Sequence, residues 1–344
     1  MTGFGPRNPD RVPSRPAAER VASLVSGKPP AEPVVFPMVV ADHASRIAGY
    51  PIVESVTQAD TLARVLYTAW REYGYDMVMV FTDTVLEAEA MGAQVVISED
   101  ENPFLLEPPR VEKLEPADPD KDGRMPVVLE ATRQLRKLLG DDVPVITSIK
   151  GPFSVAAFLC GIERFLESTL ERPDEAQEYL RVATDNQLRY AEAVFRAGGI
   201  PFVGDPVASG SLIGPTLFRK FALPALAELV GRIRGLGTWT GVHVCGNTVG
   251  IVADICGSGA DVVSIEIDMA AARREAGPDK VLMGSIPTSL VLEGPADKVA
   301  EAARENLEAG GPNTILSTGC DVPRDAPPEN VKAVVEAARR RTWR

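Results

Sequence analysis

The residue types best suited to chemistry fall in one short stretch, residues 242–248, which reads VHVCGNT. It contains one of only two histidines and one of only four cysteines in 344 residues. Imidazole nitrogen and thiolate sulfur are ligands that Zn²⁺ prefers in proteins. His243 and Cys245 point to opposite faces of a regular strand, but twisting at the strand's end lets both reach one ion. The stretch predicts half of a zinc site, and the rest of the chain must supply more ligands.

Two further candidate ligands, Glu266 and Cys320, follow other apolar, strand-like segments. Structural zinc sites usually combine two close C-x-x-C pairs, which this chain lacks, so the set favours a catalytic zinc with an exchangeable fourth position. A thiolate-rich zinc is suited to binding a substrate thiol as thiolate near neutral pH. Two alternatives stay open: a core pair for His243 and Cys245, and a carboxylate paired with a base for Glu266.

The other two cysteines, Cys160 and Cys256, lie in segments with a helical pattern. A free cysteine inside a helix usually behaves as a small buried apolar side chain. We therefore do not expect either of them to bind the metal.

The elements that must position these residues are about eight short apolar strands that alternate with helices. The predicted strands are 34–40, 76–81, 143–150, 201–204, 238–244, 261–267, 281–283 and 314–317. Such alternation implies a parallel sheet, and eight units over about 300 residues favour a closed (β/α)8 TIM barrel over an open sheet. Functional residues of such barrels gather at the carboxyl ends of the strands, where all four candidate ligands fall.

The predicted domain organisation is an N-terminal helical arm, residues 1–30, followed by one barrel domain, residues 31–344. An acidic, proline-rich excursion covers residues 98–125. Its Asp118-x-Asp120-x-Asp122-Gly123 resembles the opening of an EF-hand loop, but Leu129 stands where the loop needs Glu. A solvated acidic loop is the better interpretation.

Composition excludes several functional classes. A net charge of -12 argues against a nucleic-acid-binding surface, because phosphate contacts need clustered Lys and Arg. No apolar run approaches the roughly 18 residues of a membrane helix, and residues 1–16 lack a signal-peptide core, so we expect a cytoplasmic protein. Four widely spaced cysteines do not form a disulfide framework. No G-x-G-x-x-G follows the first strand and no P-loop motif occurs.

One combination of motifs is specific to a family. His243-x-Cys245 followed by Gly319-Cys320-Asp321 resembles the zinc motif of the cobalamin-dependent methyltransferases in the uroporphyrinogen decarboxylase superfamily, above all the methylcobamide:coenzyme M methyltransferases. The resemblance runs from about Pro33 to Ala338. Further matching segments, shared across the superfamily, are GYD at 74–76, TDT at 82–84, EAEAMG at 87–92, KGPF at 150–153, GDP at 204–206 with Ser209, and EN at 329–330.

The resemblance implies a (β/α)8 barrel with zinc held by His243, Cys245 and Cys320, and with Glu266 as the matching fourth ligand. It implies methyl transfer between a corrinoid, a methylcobamide, and a zinc-activated thiol or similar small-molecule acceptor. The chain has no D-x-H-x-x-G corrinoid motif, so a separate corrinoid protein must be the partner.

Other polar residues of the matching segments receive roles around the pocket. Glu266 is predicted to be catalytic as well as a ligand, because an incoming thiol would displace it from the metal. Asp83, Glu89 and Asp205 are predicted catalytic residues that do not bind the metal, although Asp83 and Asp205 could instead cap the following helices. Ser209 and Asn247 are predicted to contact the cofactor.

Three alternatives remain. The same barrel fits the reverse direction, in which a methyl ether or methylamine methylates cob(I)alamin, and it also fits a non-catalytic corrinoid binder. Uroporphyrinogen decarboxylases carry an arginine-rich segment after the first strand, whereas residues 40–46 here read VADHASR. One arginine is too little positive charge for a substrate with many carboxylates.

Overall fold

The structure is a computed structural model that describes residues 15–99, 101–110 and 114–343. The predicted arm therefore lies outside the described residues up to position 14. Ten strands occur in the described parts of the chain, and they are β1 (Val34–Val35), β2 (Val78–Val80), β3 (Gln94–Val96), β4 (Phe104–Glu107), β5 (Val145–Lys150), β6 (Ile200–Gly204), β7 (Gly241–His243), β8 (Val262–Ser264), β9 (Val281–Ile286) and β10 (Thr314–Thr318).

Helices connect and surround these strands. They are α1 (Ala17–Val25), α2 (Ala41–Ala48), α3 (Ile52–Thr57), α4 (Ala59–Tyr73), α5 (Leu86–Ala90), α6 (Met125–Leu139), α7 (Pro152–Cys160), α8 (Ile162–Glu171), α9 (Pro173–Arg196), α10 (Gly210–Leu217), α11 (Leu223–Gly235), α12 (Val252–Gly257), α13 (Met269–Ala276), α14 (Thr288–Glu293), α15 (Ala296–Gly310) and α16 (Pro328–Arg339). Within the residues described, no helix has both the length and the apolar character needed to cross a membrane.

Eight of the strands form one parallel sheet in the order β1-β10-β9-β8-β7-β6-β5-β2. The two end strands are joined by backbone hydrogen bonds: the Asp76 amide donates to the Val35 carbonyl at 2.9 Å, and the Ala41 amide donates to the Phe81 carbonyl at 3.2 Å. The sheet thus curls back on itself with helices around it. The prediction of a (β/α)8 barrel is confirmed.

The strands of the barrel are buried on both faces, because helices cover the outside and side chains fill the inside. β5 shows the alternation: the Thr147 hydroxyl lies 3.0 Å from that of Thr132 in α6, so Thr147 faces the helices. Side chains alternate along a strand, so Ser148 and Lys150 face the barrel interior. Both are at the carboxyl end of the strand.

The opposite end of the barrel is closed by ion pairs to Asp76, which precedes β2. Its carboxylate accepts hydrogen bonds from Arg20 of α1 and Arg339 of α16, each at 3.1 Å, and from the Val35 amide at 2.8 Å. Burial alone would raise the pKa of Asp76, but the two guanidinium groups outweigh it and lower the pKa. This carboxylate joins the first and last helices to the sheet.

The predicted excursion, residues 98–125, contains structure that the sequence did not suggest. β4 lies within it and pairs with β3, which precedes it, as an antiparallel hairpin. In the acidic loop, the Asp118 carboxylate accepts from the Asp120 amide at 3.1 Å, and the Asp122 carboxylate accepts from the Asp118 amide at 2.7 Å. These oxygens hold the turn itself. The excursion ends in buried residues, Arg124 and Met125.

Several predicted boundaries differ from the structure. The strand predicted over residues 34–40 covers only Val34–Val35, since Pro37 has no N–H to donate to a neighbouring strand. The helical region that contains α11 begins with one π-helical turn, Phe218–Ala222, before Pro224, which lies at the start of α11. The sequence patterns also missed α2, α3, α8, α10, α13 and α14.

Candidate metal centre

Four predicted ligands meet at the carboxyl ends of the strands. Their ligand atoms all lie within 4.8 Å of one another. His243 Nε2 is 3.2 Å from Cys245 Sγ, 3.8 Å from Cys320 Sγ and 3.9 Å from a Glu266 carboxylate oxygen. Across the described chain this is the one such cluster of His, Cys and carboxylate side chains.

Strand register brings these residues together. His243 is the last residue of β7 and pairs with Gly204 of β6 on one side and Ser264 of β8 on the other. Cys245 and Glu266 each follow two residues after β7 and β8, and Cys320 follows two residues after β10. Parallel strands end at one rim, so ligands far apart in sequence lie together there.

Neighbouring residues fix the orientation of the ligands. The Ser264 hydroxyl lies 3.0 Å from His243 Nδ1, which leaves Nε2 directed to the other three ligands. Gly319 permits the approach of the β10 loop to Glu266, since a Cβ there would lie 3.2 Å from the Glu266 Cα. Ser264 and Gly319 are thus part of the centre although neither is a ligand.

The donor set fits a zinc ion. Tetrahedral Zn²⁺ with nitrogen and sulfur ligands at 2.0–2.3 Å separates its ligand atoms by roughly 3.3–3.8 Å, close to the distances found here. Without a cation, the hydrogen bond with Cys245 and burial raise the pKa of Cys320, which favours the thiol. A divalent cation would reverse this preference, because it stabilises the thiolate. His243 is buried, whereas Glu266 is partly exposed.

Cys160 and Cys256 lie outside the cluster. Cys160 is buried in α7, and Cys256 is half-buried in α12. Burial raises the pKa of both thiols.

The loop that carries Cys320 is attached to the first βα unit. The Val322 amide donates to the Met38 carbonyl at 2.9 Å, and His43 Nδ1 lies 3.1 Å from the Pro323 carbonyl. Arg324 forms an ion pair with Asp42 at 3.0 Å. Asp42 and His43, which lie in the VADHASR segment at residues 40–46, thus hold this loop.

Asp83 and Glu89 form a second polar cluster, which is centred on Arg124. Arg124 donates to the two Asp83 oxygens at 2.6 and 3.2 Å and to Glu89 at 2.7 Å. Arg124 and Asp83 are buried. Burial raises the pKa of Glu89. The sequence patterns did not single out Arg124, because it ends a proline-rich, acidic segment with no signal of its own.

Asp205 lies beside the centre as a helix cap. Its Oδ1 accepts from the Ser154 amide at 2.8 Å and from the Ser154 hydroxyl at 2.5 Å, near the start of α7. Its backbone amide donates to the His243 carbonyl at 2.8 Å. Burial raises the pKa of Asp205 to about 6. Asp205 does not cap the helix that follows it, which was the capping alternative; its carboxylate instead bonds the start of α7, an earlier helix, and ties α7 to the strand of His243.

Ser209 and Asn247 lie on adjoining rim loops. The backbone amide of Asn247 donates to the Ser211 hydroxyl at 3.1 Å, and the backbone amide of Ser211 donates to the Ser209 hydroxyl at 3.3 Å. Ser209 is buried and Asn247 is exposed. Of these two side chains, that of Asn247 is the one open to a large ligand approaching the rim.

Lys150, which the sequence placed only within a matching segment, lies in the barrel mouth. Its ammonium is 4.0 Å from the centre of the Phe81 ring and 3.5 Å from the Ser148 hydroxyl. Lys150 is 4% exposed, so its charge is removed from bulk water. Asp321, next to Cys320, faces both Lys150 and His243, and burial raises the pKa of its carboxyl group.

The chain is similar to several known proteins. The sequence profile of the family described as Uroporphyrinogen decarboxylase (URO-D) matches residues 16–341. The methylcobamide:CoM methyltransferase MtaA of Methanosarcina barkeri is 29% identical over 294 residues, which cover 83% of this chain and 85% of that protein. The methylated-thiol–coenzyme M methyltransferase of Methanosarcina mazei is 31% identical over 263 residues, covering 75% and 70%. The uroporphyrinogen decarboxylase of Magnetococcus marinus is 29% identical over 289 residues, covering 78% and 80%.

A solved structure shares the whole architecture. It is a methyltransferase from Methanosarcina mazei, with a TM-score of 0.88 and 28% sequence identity. The match covers 94% of this chain and 98% of that one.

Proposed function

The chain belongs to the uroporphyrinogen decarboxylase family and is an enzyme of its corrinoid-dependent methyltransferase kind, and we propose that it transfers a methyl group from a methylated corrinoid protein to a thiol. The metal would be zinc, with His243, Cys245, Cys320 and Glu266 as its ligands. The single observation that supports this most directly is the meeting of two cysteines, one histidine and a partly exposed glutamate at the barrel rim.

When bound, zinc supplies a Lewis acid that lowers the pKa of a substrate thiol and keeps it as thiolate near neutral pH. In the chemical step the thiolate sulfur forms a bond to the methyl carbon, and the cobalt–carbon bond breaks with its electron pair left on the corrinoid. The thiol's proton goes to solvent before this step, so thiol binding should release about one proton near neutral pH.

The residues of this chain have separate tasks in the proposed reaction. Ser264 holds His243 in the orientation that presents Nε2. Glu266 is the ligand suited to giving way, because its carboxylate is a harder donor than the cysteines and its side chain is 29% exposed. Asp83 and Glu89 would act on the charge around the pocket, and their shared ion pairs with Arg124 support a joint role.

The corrinoid would arrive on a partner protein at the same rim. Relatives named as methylcobamide methyltransferases support this partner for the present chain. We assign Asn247, which is exposed beside the metal motif, to contact with the incoming cofactor. Ser209 is buried under the loop of the metal motif, and its hydroxyl lies 3.1 Å from the position that a Cβ on Gly246 would occupy. It would therefore support this loop against the cofactor.

The experiment that tests this function mixes the zinc-loaded protein with methylcobalamin and a panel of thiols while the cobalamin spectrum is followed. We expect thiol-dependent demethylation of methylcobalamin. The Cys320→Ala variant should lose this activity, and Cys256→Ala should retain it.

Two other results would replace the proposal. If no thiol reacts but a methyl ether or methylamine methylates cob(I)alamin, the protein acts in the opposite direction. If it instead releases CO₂ from uroporphyrinogen, it is a decarboxylase, as some relatives are named.

A further inference from the structure

We propose that Lys150 determines the specificity of the reaction by binding the end of the thiol acceptor remote from its sulfur, so that thiols with an anionic end are selected. This inference rests on the function proposed above and deepens it. It concerns a residue outside the ligand cluster and outside the Arg124 cluster.

The first observation is that the Lys150 ammonium has unfilled donors. It carries three N–H groups, and its one hydrogen-bond partner among the described residues is the Ser148 hydroxyl at 3.5 Å. In the described chain no carboxylate oxygen lies within 4.0 Å of its Nζ. A buried ammonium normally has partners for its donors. A ligand in the barrel mouth can provide them.

The second observation is the position of Lys150 relative to the metal centre. Lys150 pairs with Gly204, and Gly204 pairs with His243, so the three residues form one row across adjacent strands. Adjacent strands lie about 4.8 Å apart, which separates the Cα atoms of Lys150 and His243 by about 10 Å. Gly204 has no side chain to fill the space between them.

The ammonium lies over this space. Lys150 Nζ is 3.4 Å from the position that a Cβ of Gly204 would occupy. It is therefore about one strand spacing, roughly 5 Å, from the strand of His243. A thiol with two or three carbons between its sulfur and a terminal acceptor group spans about 4–5 Å. Such a molecule can reach the ligand cluster and Lys150 together.

Three carboxyl groups, those of Glu87, Asp205 and Asp321, lie near enough to Lys150 to interact with its charge. Glu87 accepts from the Lys150 backbone amide at 2.6 Å and from Gln187 at 3.4 Å. Asp205 Oδ1 accepts from Ser154, whereas its Oδ2 is buried without a hydrogen-bond partner. Among the described residues, none of these carboxylate oxygens lies within 4.0 Å of Lys150 Nζ. These groups act on the ammonium through space and leave its N–H donors to a ligand.

The test compares thiols of equal length with and without a charge. With methylcobalamin as donor, KM and kcat would be measured for 2-mercaptoethanesulfonate, 3-mercaptopropionate and the neutral 2-mercaptoethanol. A charged hydrogen bond of the usual strength predicts that Lys150→Met raises KM for the two anionic thiols by about ten- to a hundredfold. KM for 2-mercaptoethanol, and the zinc content, should stay within about twofold.

Two further variants keep the result interpretable. Lys150→Arg keeps the charge and should recover part of the affinity for the anionic thiols. Lys137→Met, at an exposed lysine of α6, is the matched control and should behave as the wild type.

An equal rise in KM for anionic and neutral thiols would overturn the role of Lys150 while leaving the proposed function intact. Absence of any thiol-dependent demethylation in the wild-type protein would overturn the proposed function, and the role of Lys150 with it.

Discussion

Replacing one metal ligand at a time should lower zinc affinity by amounts that follow from the geometry of the centre. Zinc sites with four protein ligands bind with about 10–16 kcal/mol, which is about 3 kcal/mol for each ligand if shared equally. Cys320→Ala removes a sulfur that lies 3.8 Å from His243 Nε2 within the cluster. We therefore expect its dissociation constant for zinc to rise by about two orders of magnitude.

Residues around the cluster should give graded effects. Ser264→Ala removes the hydrogen bond to His243 Nδ1 but no ligand, so we expect zinc affinity to fall by about ten- to a hundredfold. Glu266→Gln replaces the hard, partly exposed ligand and should have the smallest effect of the four ligand positions. Cys256→Ala is the matched control, because its thiol lies outside the cluster.

The assay is competition for zinc against a chromophoric chelator, with metal analysis of each purified variant. Far-ultraviolet circular dichroism would show that each variant is folded. Wild-type affinity in Cys320→Ala, or a clear loss in Cys256→Ala, would refute the assignment of ligands from this geometry.

Three further predictions concern stability, each measured by denaturant unfolding. Asp76→Asn should destabilise the protein by about 3–5 kcal/mol at pH 7. Because the folded-state pKa of Asp76 is lowered, its stabilisation is present above the unfolded pKa of about 3.9. The difference in unfolding free energy between wild type and variant should therefore shrink as the pH falls below that value. Arg124→Met leaves Asp83 and Glu89 without their shared cation and should lower the free energy of unfolding by about 3–5 kcal/mol. Arg124→Lys should recover part of this stability. An unfolding midpoint of Arg124→Met equal to that of the wild type would contradict the ion-pair cluster. Gly151→Ala would place a Cβ on the Asp205 carboxylate and should destabilise by about 1–3 kcal/mol, so a neutral result would show that the helix cap can move.

The fold could be predicted from the sequence because its signal is repeated. Eight apolar segments alternate with helical ones, and each strand is buried on both faces, so each reads as a continuous apolar run. Boundaries were less predictable where a proline ends pairing, as at Pro37, or where tertiary contacts stabilise short helices such as α3 and α14. The β3–β4 hairpin was missed because its strands are short and partly exposed.

The candidate ligands could be named from the sequence because rare residue types stood at strand ends. Their partners could not. Arg124 meets Asp83 and Glu89 only through the tertiary fold, and nothing in residues 98–125 marks it. The row formed by Lys150, Gly204 and His243 likewise depends on strand register, which a single sequence does not specify.

The attachment of the Cys320 loop to the first βα unit has a consequence for how the protein is made. His243, Cys245 and Glu266 leave the ribosome before β10, and Cys320 is both the last ligand to be synthesised and the one whose loop rests on Met38 and His43. A nascent or truncated chain that ends before β10 has three ligands and no closed ring of strands. The fourth ligand reaches its place only when the last strand docks between β9 and β1. If the four residues bind zinc as proposed, full zinc retention would require completed synthesis and closure of the barrel, and the metal would report chain integrity.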